Sequence, residues 1–417
     1  MSTAAPLDTQ QETRGSGGPA AGTRPPWLVI LVVAWVALAA FGAVGIVQRV
    51  IQGERLTAYS SYIPWGLWVA AYIFFVGLSA GAFLLSSLAY VFEQRQFERI
   101  GPLALFVAVI SLLMGLVSIF FDLGHPERFW EVFVRPQFRS MMAWIIWLYT
   151  AYFVLLLAQL GLALRRQRAG LGAELARRTD RWLRILGTIG IPLVVAESGG
   201  AGALFGTIVA RDYWNTAILP IMFLNGSLLS GSALVTAVVV FLWRTRDGSW
   251  RALVDALSRI VVALVLLELL LVFAELTIPA WYQVGSESKL IGFVLFGPYW
   301  YVFWVVYGLL GVVLPLILFT RRSPQLRGVG AGLVAVTFFA IRLDLVIPGL
   351  VTPELRGLES AYLDPIGNRL VYTYLPSLFE WQVTAGVVAL GIALFVVGYR
   401  FLRIEPPDLA IPEEEAR

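Results

Sequence analysis

The chain has 417 residues, of which 59% are hydrophobic and 14% are charged, and its formal net charge is +4. A charged fraction well below the ~25% of soluble domains predicts a membrane protein, and the mean hydropathy of +0.78 agrees. Cysteine is absent and histidine occurs once, which excludes iron–sulfur clusters, disulfides and bis-histidine haem within this chain. Any electron transfer must therefore use a diffusible cofactor or the redox centres of a partner.

Apolar runs of about 20 residues recur along the chain, which is the length that a helix needs to cross a bilayer. They predict an all-α, polytopic membrane protein with about ten transmembrane helices. The predicted spans lie near residues 27–50, 65–91, 101–121, 141–164, 182–207, 217–242, 258–280, 298–319, 327–348 and 379–402.

The distribution of basic residues predicts the orientation of these spans, because loops rich in Arg and Lys stay in the cytoplasm. Counted loop by loop, 21 Arg lie on the side of the N-terminus and nine Arg or Lys lie on the opposite side. We therefore expect both termini in the cytoplasm and the loop that contains His125 on the outer face of the membrane.

Two motifs recur at similar offsets and indicate an internal duplication. Leu78-Ser-Ala-Gly-Ala82 resembles Leu229-Ser-Gly-Ser-Ala233, and Asp122-Leu-x-x-Pro126 resembles Glu275-Leu-x-x-Pro279. We predict two related four-helix bundles, although small residues and terminal prolines are also common in unrelated membrane helices. The predicted parts are a disordered cytoplasmic tail (1–26), a peripheral first helix (27–50), two bundles (60–207 and 208–348), an extracytoplasmic loop (349–378), a last helix (379–403) and a second disordered tail (404–417).

Five ionisable residues fall in the middle of predicted spans: Glu197, Glu268, Glu275, Arg342 and Asp344. Placing a charged side chain in the hydrocarbon core costs at least ~2.5 kcal/mol of free energy, so each of these residues must have a structural or functional role. Glu268 and Glu275 are seven residues apart and share a helix face, and Glu275 is the first candidate for an ion pair with Arg342. One interpretation is a buried salt bridge that fixes helix packing. The other is a row of protonatable groups that forms a proton path, which the three further acids favour.

The third span ends in Asp122-Leu-Gly-His-Pro-Glu-Arg-Phe-Trp130, which holds the single histidine. A quinone site needs aromatic walls, hydrogen bonds to two carbonyl oxygens and a nearby acid–base pair. We expect His125 to donate to one carbonyl oxygen and Asp122 to orient this imidazole and to relay protons. The alternative is an ordinary interfacial belt of aromatic and charged residues.

This segment resembles the signature loop of the NrfD/PsrC family of quinone-interacting membrane subunits. The preceding segments, Pro64-Trp-Gly-Leu-Trp68 and Gly77-Leu-Ser-Ala-Gly-Ala-Phe-Leu-Leu85, are similar to the first core helix of that family. Ten spans and the segment Tyr374-Leu-Pro-Ser-Leu-Phe-Glu-Trp381 resemble the hydrogenase-anchor (HybB) and DsrP branch. The resemblance extends from about residue 60 to residue 400.

The resemblance implies a subunit without metal or haem in a bacterial or archaeal cytoplasmic membrane. Such a subunit exchanges electrons between menaquinone or ubiquinone and a ferredoxin-like, four-cluster iron–sulfur protein on the outer face. A molybdopterin or other catalytic subunit lies beyond, and no nucleic acid is involved. Some members carry a quinone-binding His and Asn on the first core helix, where this chain offers aromatic residues. The candidate quinone-binding residues are Asp122, His125, Arg128, Trp130, Tyr62, Trp65 and Tyr72.

Two other functions compete with this hypothesis. A proton-coupled secondary transporter would also use duplicated bundles and membrane carboxylates, but it predicts helices interrupted at mid-membrane in both halves. Only the fifth span, with Pro192 and its glycines, shows such an interruption. A purely structural anchor would leave the row of acids unexplained.

Overall fold

A computed structural model describes residues 26–60, 62–167, 172–243, 246–282, 287–351, 372–402 and 404. The predicted tails and most of the predicted loop at 349–378 lie outside these residues. Within the described residues the protein is entirely helical, and ten helices are long and apolar enough to cross a membrane. The prediction of an all-α, multi-pass membrane protein is therefore confirmed.

The ten long helices are numbered in chain order. They are α1 (Pro26–Gln52), α2 (Leu67–Tyr90), α3 (Gly101–Asp122), α4 (Met141–Arg166), α5 (Ala173–Gly206), α6 (Leu219–Leu242), α7 (Gly248–Tyr282), α8 (Val302–Phe319), α9 (Pro324–Val351) and α10 (Leu378–Phe401). We call the end of the molecule at which α1, α3, α5, α7 and α9 terminate the distal face. A further helix, Glu287–Phe296, lies between α7 and α8 at this face.

Two helices are much longer than predicted, since α5 has 34 residues and α7 has 35. At 1.5 Å per residue each extends about 50 Å, well beyond the ~30 Å hydrocarbon core. The predicted spans near 182–207 and 258–280 cover the apolar parts of these two helices, and the additional N-terminal turns carry charged residues such as Glu174, Arg177 and Arg251. Hydropathy predicts only the apolar part of a helix that contacts lipid. The backbone hydrogen bonds continue beyond that part, so the helix is longer than the predicted span.

Helix α2 forms the centre of the molecule. It packs most extensively against α3 and α6, and also against α5, α9 and α10. The crossing of α2 and α6 is close because glycines face each other there. A Cβ on Gly81 would overlap the Ser227 carbonyl group, and a Cβ on Gly231 would lie 2.5 Å from the Ala82 nitrogen. The two related bundles remain a prediction, and this crossing is where they would meet.

This close approach makes a direct prediction about stability. Gly81→Ala is expected to lower the melting temperature of the solubilised protein, because the added methyl forces the backbones apart and overpacking costs about 1–3 kcal/mol. The matched control is Gly161→Ala in α4, where no atom lies within 4 Å of the added methyl. There alanine's higher helix propensity is expected to leave stability unchanged or slightly raised. Equal melting temperatures for the two variants would contradict the packing argument.

Helices α1 and α10 form a pair at the edge of the molecule. Gly42 and Gly386 bring their backbones together, and the Trp35 Nε1 donates to the Ala389 carbonyl oxygen at 3.0 Å. Helix α1 exposes most of its apolar surface, as a helix that faces lipid does. Helix α10 links α1 to α2 and α3.

Candidate functional site

Asp122 is the last residue of α3 and lies half-buried at the distal face. The Tyr59 hydroxyl donates to its Oδ1 at 2.7 Å. The Tyr59 ring stacks on Tyr374 at 6.2 Å and meets the edge of Trp68 at 6.0 Å. Burial, together with the nearby Asp122 carboxyl group, raises the pKa of Tyr59 well above its usual range. Tyr59 therefore stays protonated and acts as a fixed donor to Asp122.

A second acid, Glu380, lies beside this pair and is fully buried in the first turn of α10. Its Oε1 accepts from the Tyr374 hydroxyl at 2.6 Å, and its Oε2 accepts from the Ser377 and Ala58 backbone nitrogens at 2.6 and 3.4 Å. The Tyr374 hydroxyl in turn accepts from the backbone nitrogen of Leu67 at 2.8 Å. Glu380 thus ties together the loop before α2, the start of α2 and the start of α10.

We call Asp122, Tyr59, Tyr374, Glu380 and Trp68 the distal acid cluster. The Trp68 Nε1 completes it by donating to the Glu380 carbonyl oxygen at 3.1 Å. Of the five, only Asp122 is among the predicted site residues. The sequence signals for three of the others are two segments that the family resemblance marks without giving a role: Pro64 to Trp68, which contains Trp68, and Tyr374 to Trp381, which contains Tyr374 and Glu380.

Arg49, from the end of α1, holds the end of α3 in place. Its Nε donates to the Phe121 carbonyl oxygen at 2.8 Å, and its Nη2 donates to the Leu123 carbonyl oxygen at 2.7 Å. The same Nη2 lies 3.2 Å from a Glu54 carboxylate oxygen, and the Arg49 side chain is buried. A guanidinium at a helix C-terminus satisfies carbonyl groups that have no partner within the helix. Arg49 therefore fixes the backbone on both sides of Asp122.

His125 lies apart from this cluster. Its side chain is 75% exposed and its Nδ1 lies 3.0 Å from Glu127 Oε1. The expectation that Asp122 orients this imidazole is wrong, because the Asp122 Oδ1 accepts from Tyr59 and the chain turns away at Leu123, whose backbone is extended. The other two predicted residues of this loop, Arg128 and Trp130, are also exposed.

The remaining predicted quinone ligands occupy two other places. The Arg211 guanidinium lies 4.6 Å from the Tyr62 ring, and Trp65 stacks on Trp214 at 6.0 Å near the start of α6. Tyr72 is buried deeper, with its hydroxyl 2.5 Å from that of Tyr149. The seven predicted residues therefore do not form one site, and only Asp122 lies in the distal acid cluster.

Of the five ionisable residues predicted in the middle of spans, four line one cavity between α6, α7 and α9. Its water-accessible volume is about 40 Å³, and its walls include Glu268, Glu275, Arg342 and Asp344. A water molecule needs about 10–15 Å³ of such volume, so the cavity is large enough for a few water molecules. The predicted proton-path residues of these helices are therefore brought together, and water can join them.

Arg342 does not form the ion pair with Glu275 that the sequence favoured. Within the described residues no ion pair of Arg342 lies within 4 Å, and its electrostatic attraction is to Glu268. Its guanidinium lies over the Phe223 ring at 4.2 Å and the Phe338 ring at 5.1 Å. Arg342 and Glu275 line the same cavity, and only the packing of α7 against α9 decides which acid faces Arg342.

The acid-lined cavity continues toward the distal face. A second cavity of about 290 Å³ shares Tyr213 and Glu275 with it and is also lined by Asp212, Asn215 and Thr216. In the other direction a space of about 10 Å³ adjoins Glu268; its lining is mostly apolar but includes Tyr307 of α8 and Thr337 of α9. Small cavities with some polar groups in their walls therefore extend from the distal loops into the second predicted bundle.

Glu197 occupies a separate position in α5. It is fully buried, and among the described residues neither of its carboxyl oxygens has a hydrogen-bond partner. Three buried tyrosines of α2 and α4, Tyr72, Tyr149 and Tyr152, lie near enough for its charge to affect them. The next residue, Ser198, makes a 2.8 Å hydrogen bond to the Ser227 hydroxyl. The Phe223 carbonyl oxygen accepts from Ser198 at 3.3 Å, from Ser227 at 2.8 Å and from Arg342 Nη2 at 3.4 Å. This oxygen joins the neighbourhood of Glu197 to that of Arg342.

These features define an integral membrane protein with one acid cluster at its distal face and a chain of buried acids within its helices. Residues 55–354 match the sequence profile of the family described as polysulphide reductase, NrfD. The protein belongs to this family. Helices α1 and α10, which supply Arg49 and Glu380, lie outside the matched region.

Several curated proteins are similar over most of their length. A selenate reductase subunit from Mesobacillus selenatarsenatis is 36% identical, and the match covers 89% of this chain and 92% of that protein. The Hdr-like menaquinol oxidoreductase integral membrane subunit of Archaeoglobus fulgidus is 28% identical, with coverage of 89% and 93%. Protein NrfD of Escherichia coli is 26% identical, with coverage of 70% and 96%.

Proposed function

We propose that this protein is the quinone-interacting membrane subunit of a multi-subunit oxidoreductase. The observation that carries the proposal is the pairing of Asp122 with the Tyr59 hydroxyl at the membrane edge of α3. The names of the Archaeoglobus relative and of a 22% identical menaquinone reductase subunit from Nitratidesulfovibrio vulgaris support a quinone as the substrate. The substrate is then menaquinone or ubiquinone, which diffuses in the membrane.

The distal acid cluster suits the chemistry of a quinol. Oxidation of a quinol breaks two O–H bonds, releases two electrons to a partner and releases two protons. A quinone ring could enter beside Phe120 and Phe129, whose rings meet edge to face at 6.1 Å next to Asp122. Asp122, with Tyr59 as its donor, accepts the protons of the two quinol hydroxyls one after the other and passes each to the distal face. In quinone reduction the same groups supply the protons.

The distal face offers a surface for the electron-accepting partner. The segment after α3 exposes Phe129, Trp130 and Phe138, and nearby charges form the pairs His125–Glu127 and Arg128–Glu131. Exposed aromatic and Arg side chains are typical of protein interfaces. We propose that a ferredoxin-like, four-cluster iron–sulfur subunit docks here, with a molybdopterin or other catalytic subunit beyond it. This requires an extracytoplasmic distal face and cytoplasmic termini.

We further propose that the buried acids conduct protons. Glu268, Glu275 and Asp344 line water-sized cavities that lead toward the distal face. Glu197 would exchange protons with this group through Ser198, Ser227 and ordered water. The same cavities suit the rival function, a proton-coupled transporter, but α5 continues through Pro192 as one helix, and the distal acid cluster would then have no role.

Copurification tests the proposed class directly. When the protein is isolated in mild detergent from its native membrane, we expect an iron–sulfur subunit and an isoprenoid quinone in the purified complex. Mass spectrometry identifies the subunits, and organic extraction with chromatography identifies the quinone. Material that is free of both, yet catalyses proton-driven solute uptake in vesicles, would support the transporter instead.

A further inference from the structure

An apolar groove runs along α10 on the side that faces α9. It has a volume of about 540 Å³ and is bordered by α2, α3, α6, α9 and α10. Helix α10 packs on α2 and α3, whereas α9 packs on α2 and α6. The groove is the space that remains between α9 and α10 above α2. Ala71, Phe75 and Leu78 of α2 line its floor.

The groove has the length of an extended hydrocarbon chain. Along α10 it extends from Trp381 to Phe395, which at 1.5 Å per residue is about 20 Å. Its lining is almost entirely apolar, and Val336 of α9 and Trp381 of α10 stand exposed at its mouth. Its volume falls within the ~300–1,000 Å³ of sites that hold small ligands.

The upper end of the groove is continuous with the distal acid cluster. Trp381 follows Glu380 directly, and Ala71 lies one helical turn below Trp68. Phe121, which precedes Asp122, packs against the apolar cluster that Ala71, Phe75, Leu78 and Val387 form in the same region. A molecule with its polar end at Asp122 would therefore meet the groove with the first part of its apolar chain.

We infer that this groove holds the isoprenoid chain of the quinone whose ring binds at the distal acid cluster, an inference that rests on the proposed function. A helix surface that only contacts bulk lipid does not require a cleft that reaches the central helix α2. A long, unbranched slot that begins beside the protonatable groups fits a ligand that has a redox ring at one end and an apolar chain at the other.

Substitutions at the mouth of the groove test this inference. Val336→Trp blocks the mouth without disturbing the core, because Val336 is 71% exposed. Val388→Trp fills the groove from α10 and is the second variant. The control is Leu390→Trp, on the same helix at a similar depth but outside the groove and 41% exposed. Quinol oxidation is measured in the intact complex with one long-chain quinol and with an analogue that carries a very short chain.

For the long-chain quinol, both groove variants are expected to raise KM at least about tenfold, since displacing a few methylene groups from apolar contact changes affinity by that factor. KM for the short-chain analogue should change less than twofold, and Leu390→Trp should resemble the parent. Equal responses of the two quinols to Val336→Trp would overturn the inference. So would loss of copurified phospholipid with an unchanged long-chain KM, because the occupant would then be an acyl chain. If the parent complex oxidises neither quinol, the proposed function itself fails.

Discussion

Asp122→Asn is expected to abolish quinone-linked electron transfer while the complex still assembles. The amide keeps the size of the carboxyl group and can still accept from Tyr59, but it cannot take up a proton. Loss of a positioned proton acceptor lowers a rate by about 10²–10⁴-fold. Stopped-flow or steady-state oxidation of a quinol analogue by the purified complex measures this rate, and subunit stoichiometry on a gel checks assembly.

Two variants sharpen the test of Asp122. Tyr59→Phe removes only the donor to Asp122 and is expected to give a smaller loss than Asp122→Asn. His125→Ala removes an exposed side chain that does not contact the cluster, so turnover with a soluble electron acceptor should stay close to that of the parent. If His125→Ala were inactive and Asp122→Asn active, the quinone would bind at the exposed loop and not at the distal acid cluster.

Glu268→Gln is expected to stop proton translocation more completely than it slows quinol oxidation. Glu268 is buried, and its Oε2 accepts a hydrogen bond from the Asn225 Nδ2 at 2.6 Å. It is also the carboxylate to which the Arg342 guanidinium is attracted. Gln preserves the hydrogen bond but not the exchangeable proton or the charge. Proton release per electron pair should fall to the value that quinol oxidation alone produces at the distal face. Glu275→Gln should act in the same way, since Glu275 lines both cavities.

The measurement uses proteoliposomes that contain the whole complex and a pH-sensitive dye. Glu98→Gln serves as the control, because Glu98 lies exposed in the turn between α2 and α3. Identical proton release in Glu268→Gln, Glu98→Gln and parent vesicles would show that the buried acids serve helix packing alone. A melting temperature for each variant separates loss of conduction from loss of structure.

The two acid groups are connected through the centre of the molecule. The distal acid cluster packs on the first turns of α2, and α2 meets α6 where Gly77 lies near both Ser227 and the Arg342 guanidinium. Helix α2 therefore joins the proposed quinone site to the surroundings of Arg342. This arrangement supports coupling between quinol oxidation and the proposed proton path, without requiring a redox centre in the protein.

The amino-acid sequence by itself determined the number and approximate place of the membrane helices, because hydropathy is a property of each segment alone. It also determined that Glu268 and Glu275 share a face of α7, since that follows from helical periodicity. The family resemblance came from contiguous residues as well, and the match of residues 55–354 to the family confirms it; the role of Asp122 within that segment stays a proposal.

Only the tertiary structure decided which side chains meet. Tyr59 and Asp122 come together from segments 63 residues apart, and Tyr374 bonds to the start of α2 across 307 residues. The crossing of α7 and α9 likewise decides that Arg342 lies nearer in charge interaction to Glu268 than to Glu275. The turn after α3, which separates His125 from Asp122, also cannot be predicted from spacing along the sequence. Spacing along the sequence reports the faces of a single helix, whereas the contacts that make a site arise between helices whose relative rotation is set by packing at positions such as Gly81 and Gly231.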